Sequence, residues 1–447
     1  MKEAIKLSDH FGYRRLFRFA MPSVIMMVFT SIYGVVDGLF VSNFAGTVEF
    51  AAVNFIMPVF MVIGAVGFMM GAGGTAIVAR TLGEGKGELA RRYFSLFVYF
   101  TAIVGTSAAV LGAVFIRPLS ALLGAEGALL DACARYGRIV IAAMPFFMLQ
   151  NLFQSFFIVA EKPKIGLSVT VAAGMANIIL DAVLVPLLPT GLRLEGAAIA
   201  TSVSQMIGGV VPVVYFLRKN TSLLSLTKTR IYGKALLKAT TNGSSELLSN
   251  ISSSVVTILY NNQLLHFAGE RGVAANGAIM YVGFIFVAMF IGYSVGTAPL
   301  VGYNYGAGNR AELKNLFRKS TVISLVAGAA MTVLAFFCAY PFSYIFSGAD
   351  AALLDMTVHG FRIFSLSFVF SGLAIYGSSF FTALNDGVTS AILAGLRTIV
   401  FKIALILVLP IFWQLDGVWL SSLFAEILSF LATVVFIIMH RKRYGYL

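Results

Sequence analysis

Apolar runs of bilayer length recur along the whole chain, and they constrain the fold more than any other feature. A helix rising about 1.5 Å per residue needs roughly 20 apolar residues to cross the hydrocarbon. Twelve such runs can be marked, at 16–44, 50–78, 93–116, 139–160, 165–188, 196–217, 236–267, 273–301, 321–346, 361–384, 390–412 and 418–439. The chain is 59% hydrophobic and 11% charged. Lipid offers the backbone no hydrogen bonds, so each run is expected to be a helix that satisfies its own peptide groups. The expected class is an all-α polytopic membrane protein. The seventh run, "TTNGSSELLSNISSSVV", is too polar for hydropathy alone and rests on an internal repeat.

That repeat has an offset of 221 to 224 residues, close to half of the 447. "GTA" at 74–76 recurs at 296–298, and "GEGKGEL" resembles "GAGNRAEL" at 306–313. "LLD" at 129–131 returns at 353–355, "FAG" at 44–46 returns at 267–269, and "LEGAAIAT" at 194–201 aligns with "LDGVWLSS" at 415–422. The common offset and order predict twelve transmembrane helices in two pseudo-symmetric six-helix lobes. The boundaries expected are an N-terminal lobe over 1–217, a cytoplasmic linker over 218–235 and a C-terminal lobe over 236–447. Six spans return the chain to its starting side, so the lobes share an orientation and can rock about an axis along the membrane normal.

The net charge of +13 raises the possibility of nucleic acid binding, which the distribution of charge argues against. Three-quarters of the 32 Lys and Arg residues fall in segments that one consistent topology places inside, with both termini in the cytoplasm. The first 13 residues lack an apolar stretch and a cleavage site, so no removable signal is expected. Cys133 and Cys338 make no disulfide framework. Pro22 gives span one a place to bend, and Pro299 with Gly302 is expected to end span eight.

A carboxylate near the bilayer centre costs about 2.5 to 3.5 kcal/mol on insertion scales, so it is normally hidden, paired or functional. Asp181 lies in "MANIILDAVLV" with Asn177 one helical turn before it, and Asp37 lies in "SIYGVVDGLF" with Tyr33 one turn before. Asp37, Asp181 and Thr201 come at similar depths from the outer ends of their spans. Such a cluster can take up a proton, because desolvation and mutual repulsion favour protonating one acid. It can also hold sodium, for which an all-oxygen set is suitable. The second half does not reproduce the cluster, since Asp37 aligns with Tyr260, Asn177 with Phe401 and Asp181 with Leu405. The alternative is that the acids pair with a nearby Arg or backbone group and merely hold the bundle together.

The second half carries Glu246 in span seven, Arg397 and Lys402 in span eleven and Glu426 in span twelve. Their signs balance, as an ion-pair network requires, while Glu246 would face a central cavity if span seven mirrors span one. In span four "FFMLQNLFQ" sets Phe147, Gln150, Asn151 and Gln154 on adjacent turns.

Five motifs together resemble the multidrug and toxic compound extrusion (MATE) family over essentially the whole length. They are "SIYGVVDGLFV", "GGTAIVARTLGEG", "NIILDAVLV", "EGAAIATSVSQ" and "PLVGYNYGAGN". The resemblance implies two six-helix lobes and drug efflux in exchange for protons or sodium. Its N-lobe ion site carries over to Asp37, Asn177, Asp181 and Thr201, and Tyr33 and Gln154 match positions lining the family's substrate cavity. The NorM branch has an acid in span ten, where "FRIFSLSFVFSGLAIYGSSFFTAL" has none. The sequence is thus more similar to the DinF-like or MepA-like bacterial branches, although Glu246 is retained.

The expected function is a secondary antiporter that exports amphipathic, cationic compounds across a bacterial cytoplasmic (inner) membrane. Protons are favoured over sodium, and Tyr33, Phe147, Gln150, Asn151, Gln154 and Glu246 are the expected substrate contacts. No cofactor, enzymatic activity or nucleic acid partner is expected, and the chain is expected to be monomeric. Two alternatives are a lipid-linked saccharide flippase of similar architecture and an intramembrane aspartyl protease, which two facing aspartates could imitate.

Overall fold

The computed structural model describes residues 5–347 and 350–447, and they are helical almost throughout. The first half contains α1 (Tyr13–Phe40), α2 (Thr47–Gly83), α3 (Gly87–Leu122), α4 (Gly127–Ala142), α5 (Met144–Val159), α6 (Pro163–Leu187) and α7 (Arg193–Leu217). After a strand-free connection come α8 (Gly233–Gly306), α9 (Arg310–Phe337), α10 (Ala339–Ser347), α11 (Ala351–Ser365), α12 (Phe368–Ala383), α13 (Gly387–Gly395) and α14 (Phe401–Tyr444). Helix α8 contains two spans that meet at Gly269 (φ 61°), and the α13–α14 unit contains two that meet at Gln414 (φ 48°). The pairs α4–α5 and α11–α12 are single spans bent by 51° and 50°. Counted this way, the described residues cross a membrane twelve times.

The repeat is visible in the backbone. The two bent spans occupy matching positions, and the turns that follow them hold Glu161 and Asn385, two of the non-glycine residues in the left-handed region. Gly46 matches Gly269, and Gly85 matches Gly308, all with positive φ. Capping is local. Asn309 accepts from the Glu312 amide at the start of α9, Asp350 from Ala352 and Leu353 at α11, and Asp386 from Thr389 at α13. Burial alone would raise the Asp386 carboxyl, yet hydrogen bonds from Tyr444 and Thr389 bring it below the usual carboxylate range.

Several expected ends move. Span four begins at Gly127 and not near 139, because α4 is amphipathic. Arg135 pairs with Glu195 at 3.0 Å on its polar face, while Cys133, Tyr136 and Val140 are buried on the other. Span ten starts at Ala351 for the same reason. Pro299 does not end span eight, since α8 continues to Gly306. The first residues of the expected linker's C-terminal end, from Gly233, are already helical.

The halves meet most closely at the end of the bundle that carries the described chain termini. A Cβ on Gly73 or Gly243 would collide with the backbone of Ala239 or Met69, and one on Gly83 or Gly306 with that of Tyr303 or Arg80. In the same seam Gly292 lies against Val24 and Gly296 against Ala20 of α1. Asn385 adds one polar tie between the halves, donating to Ala76 O at 3.2 Å, and is itself held by a bond accepted from Asn242 of its own half at 2.8 Å. Gly306→Val should force α2 and α8 apart and cost about 1 to 3 kcal/mol by overpacking. The measurement is a lower midpoint of thermal unfolding in detergent, and an unchanged midpoint would mean the seam yields freely.

Candidate coupling-ion and substrate site

Helices α1, α6 and α7 pack together in the first half, each bringing one part of the predicted cluster. Asp37 is 7% exposed near the end of α1, and Asp181 is fully buried on α6. The two carboxyls face each other closely enough to interact. Neither oxygen of Asp181 has a hydrogen-bond partner, and Asp37 Oδ1 has none. Asn177, one turn before Asp181 and also buried, keeps its Nδ2 unbonded, as α7 keeps the hydroxyl of Thr201. Buried polar atoms are nearly always satisfied, so five exceptions on the four residues chosen from sequence call for a chemical reason.

The second half shows what the same place looks like when it is closed. Tyr260, the counterpart of Asp37, hydrogen-bonds Ser421 at 2.7 Å and Ser422 at 2.9 Å. Ser422 is the counterpart of Thr201, so the pseudo-symmetry puts Thr201 beside Asp37. Leu405 replaces Asp181, and no acid remains to be satisfied there.

One residue near the acids carried no sequence signal. Tyr136 of α4 is buried and lies within electrostatic reach of both Asp37 and Asp181. A tyrosine in an apolar run looks like packing, and only its place in the fold reveals the neighbours. Gln205, one turn after Thr201 on α7, is likewise buried with Oε1 unpartnered. Its spacing from Thr201 in "TSVSQ" was the available clue.

The expected substrate residues divide. Tyr33 packs against Phe29 with centroids 6.0 Å apart, and its hydroxyl comes within reach of Gln150. Gln150 is buried against Gly208 of α7 with Oε1 free, and Gln154 donates to Thr170 of α6 at 3.5 Å. These three therefore extend the acid cluster along α1 and α5. Asn151 instead bonds its own helix at Phe147 O, and the Phe147 ring lies on Phe60 and Phe68 of α2, at 4.6 and 6.1 Å. Both look committed to the lobe's packing.

The second half's charges sit around a π-helical turn at Leu396–Val400. Arg397 Nε reaches both carboxylate oxygens of Glu426, at 3.2 and 3.0 Å, and Glu426 is 4% exposed. Lys402 lies near that pair, and half-buried Glu246 lies near Arg397. The network expected for Arg397 and Glu426 is formed, with Glu246 at its edge.

The MatE family model matches residues 22–183 and again 247–408. The chain belongs to the MATE family. Its double match falls on the two halves of the repeat. Relatives include Multidrug export protein MepA of Staphylococcus saprophyticus, 25% identical over 96% of this chain and 94% of that one. MepA of Staphylococcus haemolyticus is 26% identical over 95% and 93%. Among solved structures, a MATE in complex with MaL6 superposes with a TM-score of 0.92 at 21% identity, covering 100% of this chain and 99% of that one. The outward-facing conformation of a multidrug resistance MATE family transporter of the MOP superfamily gives 0.91 at 22% identity, covering 100% and 98%. The fold is thus the two-lobe, twelve-span MATE architecture. A MATE transporter is not an enzyme, which removes the protease alternative.

The two charged clusters predict opposite mutational costs. Glu426→Gln leaves partly buried Arg397 without its bonded carboxylate and should destabilise by about 1 to 3 kcal/mol, as loss of a charged hydrogen-bond partner does. Asp181→Asn removes an acid that has no partner and should leave the unfolding midpoint unchanged or raise it. Thermal unfolding of both purified variants checks this, and a large loss for Asp181→Asn would make that residue structural.

Proposed function

We propose that this protein is a secondary antiporter exporting amphipathic, cationic compounds from a bacterial cytoplasm, driven by inward movement of protons. The coupling site in this reading is Asp37, Asn177, Asp181 and Thr201. The observation that carries it is the set of unpartnered buried atoms on those residues, both oxygens of Asp181 included. An acid kept for structure would be paired, as Glu426 is. Facing carboxylates away from water repel, and binding one small cation relieves the repulsion. A proton does so without a shell of further ligands, which is why we place it ahead of sodium.

Drug enters the coupling through Tyr33, Gln150 and Gln154, which adjoin the acids, and through Glu246 in the other lobe. A cationic drug is attracted to the ionised cluster, and protons arriving from outside neutralise it. Ion and drug then differ in their affinity for the two ends of a rocking motion, and only that difference permits exchange. The MepA relatives are named as multidrug exporters, in keeping with this reading. Both termini lie in the cytoplasm in it, so the glycine seam closes the inner side.

Everted vesicles containing the protein should release protons when an organic cation such as ethidium is added. Asp37→Asn and Asp181→Asn should abolish the release at equal expression. Release that persists in both variants assigns the acids to another role. Drug-evoked sodium movement without proton release transfers the coupling to sodium at the same oxygens.

A further inference from the structure

Residues 5–12, ahead of α1, form a strap across both lobes. Leu7 and Phe11 are fully buried, packing with Ile158 of α5 on one side and Leu300 and Leu316 of α8 and α9 on the other. The Phe11 ring meets Phe19 edge-on at 5.9 Å. Backbone polar groups are tied to both halves. The Leu7 amide donates to Glu161 Oε1 at 2.7 Å, in the turn after α5. The Phe11 amide donates to Glu312 Oε1 at 2.9 Å, and Glu312 Oε2 lies 2.6 Å from His10 Nδ1. Phe11 O accepts from Asn315 at 3.0 Å and from Lys319 Nζ at 2.7 Å. Glu312 is only 6% exposed, so these are hydrogen bonds to a buried charge, the strong kind.

The connection ahead of α8 behaves in the same way at repeat-related positions. Leu223 O accepts from Arg91 at 3.2 Å, the Thr227 amide donates to Ser95 at 2.9 Å, and Thr229 donates to Arg92 O at 2.9 Å, all on α3. Arg91 and Ser95 are the counterparts of Asn315 and Lys319. Each lobe's first helix is therefore preceded by a strap lying on the third helix of the other lobe. A crossed pair of this kind binds the lobes at the seam end.

We propose that residues 5–12 are the latch of this seam, bound to both lobes in the conformation seen here and detached from one of them when that end opens. The chain from Leu7 to Phe11 spans at most about 14 Å when fully extended. Lobes that part at the seam carry Glu161 away from Glu312, and once the slack is used one anchor must break. The strength of the anchors thus sets how readily the seam opens. The inference rests on the alternating-access reading, but its test needs no substrate and separates the two.

Spin labels on Lys164 and Val388, exposed repeat-related positions at the seam end of the two lobes, report the opening by their distance distribution. The background is Cys133→Ala and Cys338→Ala, in nanodiscs. Glu312→Gln should raise the ratio of wide to narrow distances about tenfold, as loss of one hydrogen bond to a charged group would. Phe11→Ala should act in the same direction, and Ser8→Ala, at an exposed strap position, should change nothing. If either variant fails to fold, Asn315→Ala and Lys319→Ala decide the matter, since each removes a bond to Phe11 O. An unchanged distribution in the folded variants, or an equal shift in Ser8→Ala, overturns the latch.

Discussion

A peptide group in hydrocarbon must find its hydrogen bond within its own segment or inside protein, and everything distinctive in this structure follows from that constraint. The spans are helices because nothing else satisfies the backbone there. The breaks between α4 and α5 and between α11 and α12 lie where neighbouring helices pack, and the π turn at Leu396–Val400 packs against α8, α13 and α14 with Val400 left exposed. A π turn inserts a residue and redirects the side chains around it. Here it carries Arg397 to Glu426.

Under the same constraint, the lobes differ in how they treat buried charge. The C-terminal lobe neutralises its charges internally, with Arg397 bonded to Glu426 and Tyr260 to two serines. The N-terminal lobe leaves two carboxyls facing each other without donors. Two lobes that fold alike need not share such asymmetry. A buried unsatisfied acid costs free energy that packing alone would remove, so the N-terminal lobe carries a cost that the C-terminal lobe avoids, as the proposed coupling site requires.

Much of this was readable from sequence because hydropathy and the repeat are both long-range, redundant signals. The twelve spans came from hydropathy, the six-plus-six division from the repeat, and the choice of Asp37, Asn177, Asp181 and Thr201 from polarity in an apolar setting, where one polar residue stands out. What was missed lacks that contrast. The outer halves of spans four and ten are amphipathic, with Arg135 offsetting Cys133 and Val140, so a hydropathy window dilutes them. Tyr136 is indistinguishable from packing in a run of its kind. Pro299 reads as a stop, but a helix buried on several sides bridges a single missing donor. The strap holds two apolar residues, Leu7 and Phe11, among polar ones, too few for any periodicity to reveal.

Helix α1 joins the two features that matter. It begins at the strap, lines the seam through Ala20 and Val24, and carries Asp37 in its last turn. From Val24 to Asp37 is about 20 Å at helical rise, so the unpartnered acids and the seam lie on one rod. The seam side of that rod is fixed by backbone approach of Gly292 and Gly296, which tolerates little sliding. The site end is packed less closely, for a Cβ on Gly34 would meet nothing within 4 Å and one on Gly38 only the Tyr281 hydroxyl at 3.9 Å. Neutralising Asp37 and Asp181 removes the repulsion between α1 and α6, and any shift of α1 toward α6 must be taken up at Pro22 or at the seam. In the proposed antiport, either route would couple occupancy of the acids to the closure at the far end without requiring contact between the two.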